Sequence, residues 1–188
     1  EVNSIDKESG STLTLGGSGT QVTLHASATS SGFDSGLASV QVFTSSGTWT
    51  KPATGITKVV VEVQGAGGSG GVINGSYAGP GAAGGYAKKF INVSSISSST
   101  VTIGSGGTGV TSGSGNNGGA SSWSDGTNTI SCGGGGGGDG TTNYLSQPGG
   151  AATGGDINIP GQDSDYIRGS GAASVLGHGG PDSSASSS

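Results

Sequence analysis

The spacing of apolar and polar residues divides the chain into three stretches: 1–38, 39–132 and 133–188. In the first, Thr12-Leu13-Thr14-Leu15 and Gln21-Val22-Thr23-Leu24 place Leu or Val at every second position, the pattern of a half-buried strand. Gly16-Gly17-Ser18-Gly19 between them can turn the chain. A hairpin fits, and so do rungs of a stalk in which three chains share one core. An isolated hairpin with so few large side chains would be marginal, which favours the stalk.

The middle stretch carries the strongest strand signals. Ser39–Thr44 alternates, and Gly47–Pro52 is a short extended piece ended by proline. Lys58–Gln64 (KVVVEVQ) is nearly continuous and β-branched, as a central strand buried on both faces would be. Tyr86–Val93 and Thr100–Ile103 supply two more strands. Ser121–Ser124 and Thr127–Cys132 flank Asp125-Gly126, which predicts a hairpin around a type I′ turn. Short strands at this spacing predict an all-β fold, an antiparallel β-sandwich. Trp49, Val61, Val63, Phe90 and Trp123 are its expected core.

Composition changes this picture. Gly occurs 44 times, and Gly, Ser and Thr together fill 97 of 188 positions. Val, Ile, Leu and Phe total 32, about 17% and below the ~20% that usually separates folded from disordered chains. Charge does not account for the shortage, since only 9% of residues are charged and the net charge is −5. Collagen is excluded, because Gly does not recur every third residue and Pro numbers 5. Helices are disfavoured at roughly 1 kcal/mol per glycine relative to alanine. A single cysteine, Cys132, excludes an intrachain disulfide framework.

Two remedies remain for the thin apolar supply: burial between copies of the chain, or packing of backbone on backbone. The glycines cluster in tracts, 65–85, 104–119, 133–161 and 169–180, and three of these leave from strand ends. They should therefore emerge on one side of the sandwich. Gly/Ser tracts are ordinarily flexible linkers. The alternative is a set of polyproline-II-like rods, with three residues per turn and outward N–H and C=O groups that bond side by side. Fixing each residue costs roughly 1–2 kcal/mol of entropy, so such rods must bundle to hold. Residues 133–188 are expected to form this rod and tip region.

The sequence offers little chemistry. The six basic residues are scattered apart from Lys88-Lys89, which argues against a nucleic-acid partner. No apolar run reaches the ~18 residues that would span a bilayer. No signal peptide is visible at Glu1-Val2-Asn3-Ser4, and a start without Met suits the mature part of a longer protein. Gly65–Gly70 matches the dinucleotide fingerprint, but Gly71–Pro80 cannot supply the helix that motif needs. Gly134–Asp139 fits one calcium nonapeptide formally, and six successive glycines make that match automatic. Asp163-Ser164-Asp165 is better taken as a solvated turn than as cation ligands. His25 should face outward from the stalk, and Cys132 should be a small buried side chain. No cofactor, metal or catalytic activity is expected.

Aromatic residues in the glycine tracts are more informative. Tyr77, Tyr144 and Tyr166 stand among Ser, Asn and Asp, and Tyr166 leads into Ile167-Arg168. Tyr, Asn and Ser on loops of a rigid scaffold make up the composition of a recognition surface. The bland alternative is that each Tyr covers a rod or packs on a neighbouring chain.

Several motifs in order resemble one family. They are Phe43–Pro52, Thr57–Gly68, Gly84–Lys89, Thr100–Gly104, Gly119 through Cys132 and its glycine run, Gly155–Asp163 and Ala173–Gly180. Together they resemble the glycine-rich domain at the ends of bacteriophage tail fibres, and residues 1–38 resemble the stalk repeats preceding such tips. The Ser-rich tail Asp182–Ser188 departs from the pattern. The resemblance implies a homotrimeric fibre tip on the extracellular virion. It would bind a host-surface glycan or outer-membrane protein without catalysis and join other fibre proteins. A structural fibre or decoration subunit, and a secreted bacterial adhesin, are the alternatives.

Overall fold

The computed structural model describes residues 39–52, 55–73, 79–141, 145–165 and 171–179. The stalk expected over 1–38 lies outside them. The chain divides into two units, Glu1–Gln41 and Val42–Ser188, and the second holds every element named below. Its described residues contain no helix. They form eight strands, β1 (Gly47–Thr50), β2 (Lys58–Gln64), β3 (Tyr86–Asn92), β4 (Ser98–Thr102), β5 (Ser121–Ser124), β6 (Thr129–Cys132), β7 (Ala152–Thr153) and β8 (Ile157–Ile159). These make two antiparallel sheets, ordered β1-β4-β5-β6-β7 and β2-β3-β8.

One small core takes side chains from both sheets. Trp49, Val101, Trp123, Ile130 and Cys132 come from the larger sheet, and Val63, Ala87 and Ile91 from the smaller. The two tryptophan rings lie 6.4 Å apart, tilted by 57°, within the range where aromatic pairs attract. Val61 is partly buried against this cluster. Cys132 is buried, and its thiol donates to the Val63 carbonyl at 3.3 Å.

Four expectations fail for reasons of pairing and parity. Ser39–Thr44 is irregular. The partner of β1 is β4, which ends at Thr102; past it the Ile103 N–H turns to the Ser46 hydroxyl in place of a strand carbonyl, so the ladder stops there. β2 is an edge strand, with Val60 half exposed, instead of a central one. Phe90 is 58% exposed and outside the core; strand alternation gives the inward positions of β3 to Ala87 and Ile91, so Phe90 must point the other way. The β5–β6 hairpin forms, but Ser124 pairs with Thr129 across a four-residue loop. That loop closes on the Asp125 carboxylate, which accepts the N–H groups of Thr127 and Asn128 and the Asn128 side-chain amide. Burial pushes the Asp125 pKa up, but these bonds outweigh it and hold the carboxyl below its ordinary value.

The glycine tracts are ordered between the strands. The chain leaves β2 along segment 1 (65–73) and returns to β3 along segment 2 (79–85). It leaves β4 along segment 3 (104–109) and returns to β5 along segment 4 (113–119). Segments 5 (133–139) and 6 (147–151) join β6 to β7, and segment 7 (161–165) leaves β8. β7 and β8 lie inside what composition marks as one tract; two- and three-residue strands are too short to stand out, although Ile157-Asn158-Ile159 does alternate.

Bonding between segments repeats every three residues. The N–H groups of 65, 68 and 71 reach the carbonyls of 85, 82 and 79, while those of 66, 69 and 72 reach 119, 116 and 113. Neither a strand, with period 2, nor an α-helix, with 3.6, would share its donors this way; an extended threefold helix would. Segment 5 lies at the centre and bonds to segments 1, 2, 4 and 6. A Cβ on Gly135 would collide with the Ala82 carbonyl, and one on Gly138 with the Gly79 carbonyl. The run of six glycines occupies the place where four neighbours crowd the backbone.

Gly135→Ala and Gly138→Ala should each destabilise by about 3 kcal/mol or more, because the obstructing atoms are backbone. Gly106→Ala meets nothing within 4 Å and has no positive φ, so its melting temperature should stay level or rise slightly. Thermal denaturation of the three variants compares them directly. Ser99 Oγ is buried without a hydrogen-bond partner, so Ser99→Ala should be neutral or stabilise by about 1 kcal/mol in the same assay.

Candidate functional site

Because each outgoing segment starts at a strand end, the points where the chain turns back gather at the far end of the bundle. Direct bonds tie these points together. Gly71 N–H donates to the Gly79 carbonyl at 2.9 Å, and Val72 and Gly113 exchange both backbone bonds at 2.7 Å. Gly79 N–H reaches the Asp139 carbonyl at 3.2 Å, and Gly140 N–H donates to Ser114 Oγ at 3.1 Å. Gly113 has φ +79°, the left-handed backbone that lets segment 3 turn into segment 4. Segments 1, 2, 4 and 5 thus end on one shared platform.

Polar side chains hold the platform where glycine backbone gives out. Asp139 is buried directly after the six glycines. Its Oδ1 accepts the Thr141 N–H at 2.9 Å; its Oδ2 accepts the Thr141 hydroxyl at 2.9 Å and the Leu145 N–H at 2.8 Å. The bond from Leu145, aided by those from Thr141, holds the Asp139 carboxyl below its ordinary value against the opposing effect of burial. Ser69 Oγ accepts the Asn116 N–H and donates to the Thr108 carbonyl, joining segments 1, 3 and 4. Asn117 Oδ1 accepts the Gly137 N–H.

A second group of bonds closes the far side. Asp163 Oδ1 accepts the Gly149 N–H at 2.8 Å. Ser164 is buried, exchanges bonds with Gln147 and accepts the Ser146 hydroxyl at 2.6 Å. Asp163-Ser164-Asp165 is therefore part of an extended, bonded segment and not a turn; Asp163 and Asp165 are solvent-exposed as expected, while Ser164 is buried. Packing against segment 6 supplies the partners that water would have supplied. Gly65–Gly70 likewise opens segment 1, with no helix following it among the described residues.

Tyr77, Tyr144, Tyr166, Ile167 and Arg168 lie outside the described residues. Their described flanks are Ile73 and Gly79, Thr141 and Leu145, and Asp165 and Gly171. The first two pairs belong to the platform, and the third begins from segment 7, bonded to segment 6 at Ser164. Sequence reasoning missed Asp139, Ser164 and Asn117 as fasteners. Nothing local marks them: Asn117 follows Asn116, Ser164 stands between two aspartates, and Asp139 between glycines resembles a chance acid. An open groove of about 570 Å³ runs beside segments 1 and 2, lined mainly by glycine and alanine backbone with Gln64 and His178. It gathers no set of convergent charged groups.

Residues 42–188 match the family model of a glycine-rich domain, and the chain belongs to that family. No curated protein matches the chain.

Asp139→Asn should lower stability at pH 7 by about 1–3 kcal/mol, the value of hydrogen bonds to a buried charge. Because the folded carboxyl lies below its ordinary pKa, its contribution is complete above about pH 4 and fades as pH falls through the folded value. Melting curves of wild type and variant should therefore converge towards pH 2; a gap that stays constant with pH would refute the assignment.

Proposed function

We propose that this member of the glycine-rich domain family is the tip of a bacteriophage tail fibre, a non-catalytic adhesin for a host cell surface. In this reading the two sheets form a β-sandwich, and the glycine segments are polyproline-II-like rods that project from it. Three copies associate around residues 1–38, the tip lies on the outside of the virion, and other fibre proteins adjoin it. The ligand is a glycan or an outer-membrane protein of the host.

The observation that carries the proposal is the tying together of the turning points. Three loops rich in Tyr, Asn and Ser start from segment ends that are fixed to one another by backbone and carboxylate bonds. Loops on such a base present contact residues with little loss of order elsewhere. Tyr supplies large contact area at low entropic cost, and Arg168 adds a charged donor. Three copies would convert weak single contacts into durable attachment, because later contacts form at high effective concentration.

A second reading is favoured by the same bundle. Backbone bonds alone stiffen it, so a structural fibre or decoration subunit would need no recognition residue. Labelled full-length protein applied to bacterial cells separates the two. Adhesion predicts saturable binding and competition with phage adsorption. It also predicts that Tyr144→Ala and Tyr166→Ala each weaken binding about tenfold with unchanged melting. Unaltered cell binding in both variants, together with failed particle assembly, would support the structural reading.

A further inference from the structure

The two sheets turn unlike faces away from their common core. On the five-stranded sheet every outward strand position from Thr48 to Thr153 is Ser or Thr. These hydroxyls bond one another and the backbone, as Ser124 and Thr129 do at 2.9 Å. That surface suits water. The outer face of the smaller sheet is different. Val60 lies directly opposite Phe90, and Ile157 and Ile159 pair with Lys88 and Tyr86 on the same side. The four apolar side chains are 50%, 58%, 52% and 41% exposed. Large apolar residues gathered on one face of a polar protein mark a contact surface.

We propose that this face of the β2–β3–β8 sheet is where copies of the chain meet, with Val60 and Phe90 at its centre. The proposal rests on the three-copy reading above and gives it a surface within residues 42–188.

Two features select a second copy as the occupant. The face carries charge of both signs at unlike ends of its apolar centre, so the Lys58 end of one copy can meet the Glu62 end of the next. Glu62 and Lys88 form an ion pair at 2.9 Å, while Lys58 lies 5.9 Å from the Phe90 ring with no acidic partner among the described residues. An anionic glycan or lipid surface would meet the Glu62 carboxylate beside Lys88. Second, β2 is a seven-residue edge strand of β-branched residues, a length of open edge that proteins normally pair or cover. The two edges of this sheet differ, β2 on one side and β8 on the other. Contact between unlike edges of neighbouring copies is heterologous, which is the relation a threefold ring requires.

The test is sedimentation equilibrium of the full chain, with Phe90→Asp and Val60→Asp as probes and Thr100→Asp on the hydroxyl face as control. Wild type and control should sediment at about three times the 17.6 kDa chain mass. The two face variants should dissociate at concentrations about 100-fold higher than wild type, with circular dichroism and melting of the separated chain intact, because both side chains are exposed. Face variants that trimerise as tightly as wild type would overturn the assignment and leave trimerisation and adhesion standing. A monomeric wild type would overturn both the face and the three-copy reading, and slow amide exchange along β2 in that monomer would identify the chain itself as the cover. Cell binding of the same proteins is scored separately. Dissociation by Phe90→Asp in a protein that never adheres would uphold the face and sink the adhesin reading.

Discussion

The structure depends on how closely one backbone can approach another. At the centre of the bundle, carbonyl oxygens of segments 2 and 4 stand where the Cβ atoms of segment 5 would be. Only glycine permits that approach, and only the approach lets each segment bond to several neighbours at once. Glycine loses more conformational freedom on ordering than any other residue, so a single bond per residue would not hold such a chain. Shared bonding in threes offsets the loss: Gly65 bonds to segment 2, Ala66 to segments 4 and 5, and Gly67 to segment 3, so every direction around the segment is used. Hydrogen bonds here take the place that side-chain packing takes in an ordinary core.

The strands matter to this arrangement as an alignment device. A bundle of glycine segments has no side-chain shape to set its register. The register comes from the sheets, where Val63, Ala87, Ile130 and Cys132 pack and fix the starting points of segments 1, 2 and 5. Cys132 ends β6 immediately before the six glycines and is bonded to the Val63 carbonyl, one residue before segment 1's neighbour Gln64. A small apolar core is therefore sufficient, because it aligns segments that then hold themselves. At the other end, where glycine runs out, Asp139, Ser164 and Ser69 complete bonds that backbone no longer can.

Much of this was legible in the residues. A continuous β-branched run, short strand-like stretches and the Asp125-Gly126 turn located β2 to β6 to within a few positions, and the glycine excess pointed to backbone bonding between segments. The failures share a cause. Alternation tells which residues face alike, but not which face is covered, so Phe90 passed for core until the pairing with Val60 set it outside. The Asp125-Gly126 turn was found while its loop length was not, since a carboxylate that accepts three donors outweighs the preference of the dipeptide. Asp139 could not be told from a chance acid, because its role depends on the distant crowding of segments 1 and 2. The candidate contact residues, by contrast, could be named only from their chemistry.

The same physics separates the parts of the molecule that can vary from those that cannot. A residue inside the bundle answers to several segments at once, so substitution there is met by backbone on every side. At the rim the bonding passes from backbone to side chains. The two fastening groups, Asp139 at the end of segment 5 and Asp163 with Ser164 in segment 7, sit at that rim and accept the N–H groups of Leu145, Gly149 and Gln147. A substitution at the rim therefore costs one or a few bonds, whereas one at the centre meets carbonyls of two neighbouring segments.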